Sequence, residues 1–210
     1  MGRRKGYDRE TVLDSAMRLF WKRGYHATST RDLTDTMGVN AYSLYAEFGS
    51  KEGLYAAAIA HYNETVVTGH FGGLEASDAS LDTVRSVVRF FGRSAQYEHS
   101  DLGCLMCNAG TELAPTPAAS RVTTTGYTRR LTASFVNALS NAQATGELAN
   151  DAPVAELAHF LAVVLMGMFV MMRGQADDAV LRDTGERALA SVEQFALPKR
   201  DAARSLASAT

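Results

Sequence analysis

A chain of 210 residues that is 46% hydrophobic and 21% charged can bury a core of its own, as one large domain or as a small head on a larger body. Two cysteines are too few for a disulfide scaffold, and the longest apolar run, Phe160 to Met172, has 13 residues where a membrane span needs about 20. The basic start Arg3-Arg4-Lys5 runs into Asp8, Arg9 and Glu10 rather than an apolar stretch, so no signal peptide is read and a cytoplasmic location is expected. Nine Lys/Arg against seven Asp/Glu leave +2 on residues 1–60, whereas twelve against sixteen leave −4 on the rest. An acidic total still allows a polyanion partner, because only the contacting face has to neutralise phosphates.

In chain order, Val12, Leu13, Ala16, Leu19 and Phe20 repeat on one helical face and predict a first helix over Arg9 to Arg23, with Lys22 and Arg23 at its negative end and Gly24 as its stop. Ser29 with Asp32 three residues on makes a capping box for a second helix, Thr30 to Met37. Gly38 then supplies a turn, Asn40 caps a third helix through Glu47, Gly49 ends it, and Ser50 caps a fourth that starts at Lys51-Glu52.

Beyond Tyr62, loop signals fall at 72–80, 100–103, 115–117, 146–153 and 174–178. They separate five expected helices at about 80–98, 104–113, 118–145, 153–173 and 178–196. No segment sustains the two-residue alternation of a strand and none repeats, so the fold class is all-α: a three-helix N-terminal head carrying a helix-turn-helix, then a larger helical body. The expected division is 1–53, 54–197 and a frayed tail at 198–210 with no apolar face.

Gly38-Val39, Ser43, Leu44-Tyr45, Phe48 and Ser50-Lys51-Glu52 occur at spacings by which the N-terminal 60 residues resemble the tetracycline-repressor (TetR) family of bacterial transcription regulators. The rest of the chain is similar to that family only in length and helix count. The resemblance implies a homodimeric regulator that binds a double-stranded DNA operator and is released by a small-molecule effector. Its third helix would lie in the major groove, with Asn40, Ala41, Tyr42 and Ser43 at base edges. Thr30, Arg31, Tyr45 and Lys51 would hold phosphates. Tyr42 departs from the small residue usual in the family and implies a different base contact, such as stacking on a thymine methyl. Glu47 is a second departure: it turns away, pairs with a neighbouring cation or accepts from a cytosine N4. Arg3-Arg4-Lys5 is open to two readings, a minor-groove arm or a basic tail without a role.

In the body, residues 154–172 are apolar on every side, and Leu181, Ala188, Val192 and Phe195 share one face of the last helix. Two such helices per chain suit a four-helix dimer interface. Two heads would then meet successive major grooves of a palindromic operator, about 34 Å or a multiple apart. Cys104 and Cys107, at i and i+3, admit three readings: packing, a redox-active or effector-reactive thiol near a helix N-terminus, or a soft metal site with His70, His99 or Met106. Phe90, Phe91, Tyr97, Tyr127, Phe135 and Phe160, with Phe169, Met166 and Met168, are candidates for core or for the wall of a cavity taking a hydrophobic or aromatic effector.

No catalytic set is legible and no cofactor is expected. The five histidines are scattered, no Gly-rich loop follows a strand, and a Cys-x-x-Cys oxidoreductase needs a βαβ frame. His159 reads as a core histidine or a cavity donor. The reading is a repressor, released when an effector or oxidation at Cys104 or Cys107 alters the spacing of the heads through the helix that starts at Lys51. The alternative is a helical ligand- or metal-binding protein without DNA function.

Overall fold

The computed structural model describes residues 7–93, 99–112 and 119–198, and the described residues contain no strand beyond one isolated bridge between Leu148 and Ala196. Arg3-Arg4-Lys5, Tyr97, Pro115 to Pro117 and the tail from 199 onward lie outside them. The head is α1 (Arg9–Arg23), α2 (Thr30–Met37), α3 (Ala41–Phe48) and α4 (Lys51–Tyr62). Each start is set by a side chain that accepts from a backbone N–H left over in the first turn: Asp8 from Thr11, Ser29 from Asp32, Asn40 from Ser43 and Ser50 from Gly53. The Ser29–Asp32 capping box is formed in both directions. Gly38 takes the left-handed conformation (φ 64°, ψ 21°) that turns α2 into α3, and it donates its N–H to Thr34.

Burial explains why four short helices hold together. Phe20, Leu33, Leu44 and Leu54, one from each helix, are fully buried, and α1 packs along α4. Helices of eight residues are marginal alone, so α2 and α3 owe their stability to this shared core. Val39 is buried with them, while Met37 and Phe48 are partly buried.

The body continues without a break. A π turn (Asn63–Val67) and α5 (Thr68–Glu75) follow α4, where the sequence pattern gave no helix. Gly72 and Gly73 read as breakers, but Val67, Phe71 and Leu74 bury one face, and that packing overrides propensity. Next come α6 (Leu81–Gly92), a 3₁₀ turn (Ser100–Leu102), α7 (Leu105–Glu112), α8 (Ala119–Ala144), α9 (Val154–Arg173) and α10 (Asp178–Glu193). The sixth helix stops at Gly92 and the last at Glu193, both shorter than the pattern predicts.

By length and composition α9, at 20 residues, could cross a membrane, but it packs as a bundle helix between α8 and α10, with Leu157, Leu161, Leu165, Met168 and Met172 buried. Its other side is exposed and apolar: Phe160, Val163, Val170 and Met171. The face of α10 picked out by Leu181, Ala188 and Val192 is instead buried within the protomer, largely against α6, and leaves Val180 as its exposed large apolar residue. Gly92 of α6 and Gly185 of α10 face each other across this contact, where a Cβ on either would meet the other helix's backbone at 3.5–3.6 Å, ordinary packing distance.

Candidate nucleic-acid interface

The N-terminal end of α3 faces outward. Tyr42 is 86% exposed, the largest exposure among the large apolar side chains described, and Asn40 is exposed beside it. A phenol held in water this way has no role in the core. Ala41 and Ser43 flank it, half-buried, and the Asn40 Oδ1 accepts from the Ser43 N–H at 2.8 Å, leaving the Asn40 amide N–H groups as donors.

Of the four residues expected at phosphates, the structure brings two into contact. The Thr30 hydroxyl at the start of α2 and the Tyr45 hydroxyl on α3 are 2.6 Å apart. Lys51, at the start of α4, holds its ammonium 4.3 Å from the centre of the Tyr25 ring, a cation–π contact. Partial burial pulls the Lys51 ammonium below its usual value, opposed by the charges of Glu112 and Asp32. Arg31 stands apart, 90% exposed, with only a 3.6 Å approach to Asp35.

The second helix starts at a charged clasp. Hydrogen bonds from the Ser29 hydroxyl and N–H, then from Arg23 at 2.6 Å, hold the Asp32 carboxyl at about 2. Glu47 resolves among its three readings as paired with a cation: it lies 3.2 Å from Arg9 and accepts from the Tyr7 hydroxyl. Arg9 also sits over Phe48 at 5.6 Å. These partners, Tyr7 and Arg9, were not legible at the sequence level, because a contact across 40 residues leaves no local pattern. They remove a carboxylate from the face that would meet phosphates.

A second site lies where head and body join. A cavity of about 180 Å³ is walled by Phe90 and Phe91 of α6, Tyr127, Phe169, Tyr62, His70 and Cys104, and also by Trp21 of α1. An apolar cavity of about 150 Å³ is enough for a benzene ring. Of the remaining candidates, Phe135 and Met168 are core, Met166 is partly buried beside Thr128, and Phe160 is exposed. His159 is exposed too and lines a shallow groove with Thr128 and Arg129, so it is not a core residue.

Cys104 and Cys107 are both buried, and neither is in a disulfide. Cys104 is 3.5 Å from the Tyr127 hydroxyl. Burial opposes its ionisation, but hydrogen bonds from Cys107, Tyr127 and Tyr62 outweigh burial and bring its thiol down to about 7. Cys107 is pushed up, by its bond to Cys104 and then by burial. Burial also raises the Tyr62 and Tyr127 phenols and lowers His70. Among the described residues no three His, Cys, Asp or Glu side chains are placed to hold a metal ion.

Residues 12–58 match the model of the bacterial regulatory proteins of the tetR family, and residues 80–188 match a tetracyclin repressor-like C-terminal domain. The transcriptional repressor ComR of Escherichia coli is 33% identical over 175 residues, 82% of either chain. The uncharacterized regulator YezE of Bacillus subtilis is 26% identical over 87% of this chain and 95% of its own. Among solved structures, a cysteine mutant of the TetR-family regulator CifR in complex with a 26-bp operator DNA superposes with a TM-score of 0.79. It is 33% identical and covers 90% of this chain and 98% of its own.

Proposed function

Since this chain belongs to the tetR family of bacterial regulatory proteins, and so is a DNA-binding transcription regulator, we propose that it acts as a homodimeric repressor whose operator is released when its junctional cavity is occupied or its Cys104–Cys107 pair is oxidised. The reader is residues 1–53 and the effector and dimerisation part 54–197, with Trp21 of the reader reaching into the cavity.

The observation that carries the reading is the outward end of α3, where Asn40 and Tyr42 are exposed beside Ala41 and Ser43, on the helix whose Tyr45 pairs with Thr30 and which Lys51 of α4 follows. In a major groove the first group meets base edges. The hydroxyls and the ammonium then take flanking phosphates and fix the register. Arg31, exposed to solvent, adds a phosphate contact. The exposed stripe Phe160, Val163, Val170 and Met171 supports pairing of two copies through α9, which places two readers on a palindrome. The partner in the cavity is a small apolar or aromatic molecule, matching the aromatic walls.

Release follows from differential affinity. An occupant that prefers the unbound spacing of the heads ~100-fold weakens operator binding by about 2.7 kcal/mol. Oxidation acts at the same wall: a disulfide between Cys104 and Cys107 removes the thiol that Tyr62 and Tyr127 address.

Fluorescence anisotropy of the DNA flanking the gene, titrated with reduced and then with diamide-oxidised protein, tests this. Nanomolar, salt-sensitive binding is expected from the reduced dimer and a loss of it after oxidation. Binding indifferent to oxidation leaves the cavity as the route of release, whereas no binding to that DNA or to a genomic library at low salt overturns the reading.

A further inference from the structure

The end of α1 meets the body through three polar ties. The Trp21 indole N–H donates to the Leu102 and Gly103 carbonyls, each at 3.2 Å. Arg173 at the end of α9 donates to the Trp21 and Lys22 carbonyls at 3.3 and 3.0 Å, completing the C-terminus of α1. The third tie is of a different kind. Glu112, the last residue of α7, places its carboxylate in the loop between α1 and α2, where it accepts from the Tyr25 N–H at 2.9 Å and the His26 N–H at 2.8 Å. Gly24 has φ +83°, which favours glycine, and a Cβ there would lie 2.8 Å from both carboxylate oxygens and push the Glu112 side chain aside.

What lies at either end of α7 gives this contact its meaning. Cys104, the residue before α7, is in the cavity wall, and Glu112 is eight residues on, about 12 Å along a rigid helix. The loop that Glu112 holds runs through buried Thr28 into Ser29 and Thr30, the start of α2. Both bonds are lost if the carboxylate withdraws by about 0.8 Å, since contacts near 3.6 Å are no longer hydrogen bonds.

We propose that Glu112 is the positioning residue through which the state of the cavity reaches the DNA reader, by clasping or releasing the loop that aims α2. The inference rests on the repressor reading above. It adds to the covalent route through α4 a second route, through the loop that leads into α2, and the same Glu112 charge also acts on the Lys51 ammonium.

The chain's single tryptophan makes this measurable, because Trp21 is in the cavity wall and belongs to the head. Acrylamide quenching of Trp21 is recorded with and without the flanking operator DNA, for wild type, Glu112→Gln and Glu112→Ala. In wild type, operator binding fixes the clasp and lowers the quenching constant. Glu112→Gln keeps one acceptor oxygen and shows a smaller shift. Glu112→Ala shows none, although it still binds operator, more weakly by about fivefold or more. A purely structural role would lower affinity while leaving the shift intact. If Glu112→Ala does not fold, the reduced shift in Glu112→Gln carries the test. Equal shifts in all folded forms, or no shift in wild type that binds operator, overturn the proposal and leave the repressor reading standing. Absence of operator binding by wild type overturns that reading, and the proposal with it.

Discussion

The hydroxyls of Thr30 and Tyr45 stand 2.6 Å apart, one at the start of α2 and the other on α3, so the two helices of the reader share a hydrogen bond at the face expected to meet phosphate. Removing one hydroxyl with Tyr45→Phe should weaken operator binding by about 1–2 kcal/mol while leaving the slope of log affinity against log salt unchanged, because no charge is lost. Lys51→Ala should weaken binding and also reduce that slope by about 1. Anisotropy titrations at several salt concentrations separate the two, and a slope that moves with Tyr45→Phe would contradict the assignment.

Tyr42 is 86% exposed, so Tyr42→Ala should leave thermal stability within about ±0.5 kcal/mol. The same change should cost about 1–3 kcal/mol on the cognate operator and almost nothing on unrelated DNA, since a base-edge contact discriminates where a phosphate contact does not. Competition binding against a mutated operator reads the difference. A uniform loss across sequences would place Tyr42 on the backbone.

Cys104 should react as a thiolate near neutrality despite its burial. Hydrogen bonds directed at its sulfur hold the thiol at about 7, below the ordinary 9.0, so raising pH through 7 fills the reactive form. Alkylation by iodoacetamide, followed by peptide mass spectrometry, should reach half its maximal rate near pH 7. Cys107→Ala deletes a donor and should move that midpoint up towards the ordinary value. A midpoint near 9 in the unaltered protein would show that burial wins.

Asp32 gives an acid limb to stability with a defined sign. Its folded carboxyl is depressed from 3.8 to about 2 by Ser29 and Arg23, so its contribution is complete above 3.8 and is lost as pH falls towards 2. Asp32→Asn cannot titrate, and its melting temperature should fall less steeply over that window than that of the unaltered protein. Parallel curves would mean that the capping box adds nothing in solution.

The head was legible in the sequence because its determinants are local. Ser29, Asn40 and Ser50 cap the residues that follow them, Gly38 is the turn, and the ends of α1 and α2 fall where the pattern put them. The body was legible only in part. Gly72 and Gly73 masked a helix that long-range burial of Phe71 and Leu74 sustains. The apolar face of α10 was visible, but whether it meets its own chain or a second one depends on α6, which periodicity does not report. For the same reason the sequence showed Glu47 as an anomaly without showing Tyr7 and Arg9, and gave no sign that Trp21 faces a cavity.

The exposed stripe on α9 leads to the last prediction. Val163 is 65% exposed and sits between Phe160 and Val170, at the spacing that puts all three on one side of the helix. A monomer that left this stripe in water would present a contiguous apolar patch, and pairing about a twofold axis covers it with its own copy. Val163→Glu should hardly change the folding of a protomer, because the site is solvent-exposed there. In the paired state it would bury an unpartnered carboxylate on each side, at a cost of several kcal/mol. Light scattering coupled to size exclusion should therefore find a dimer for the unaltered protein and a folded monomer for the variant. Operator affinity should drop ~10²–10⁴-fold in the variant, the loss expected when two linked readers become independent. A variant that stays dimeric with full affinity would move the interface away from α9.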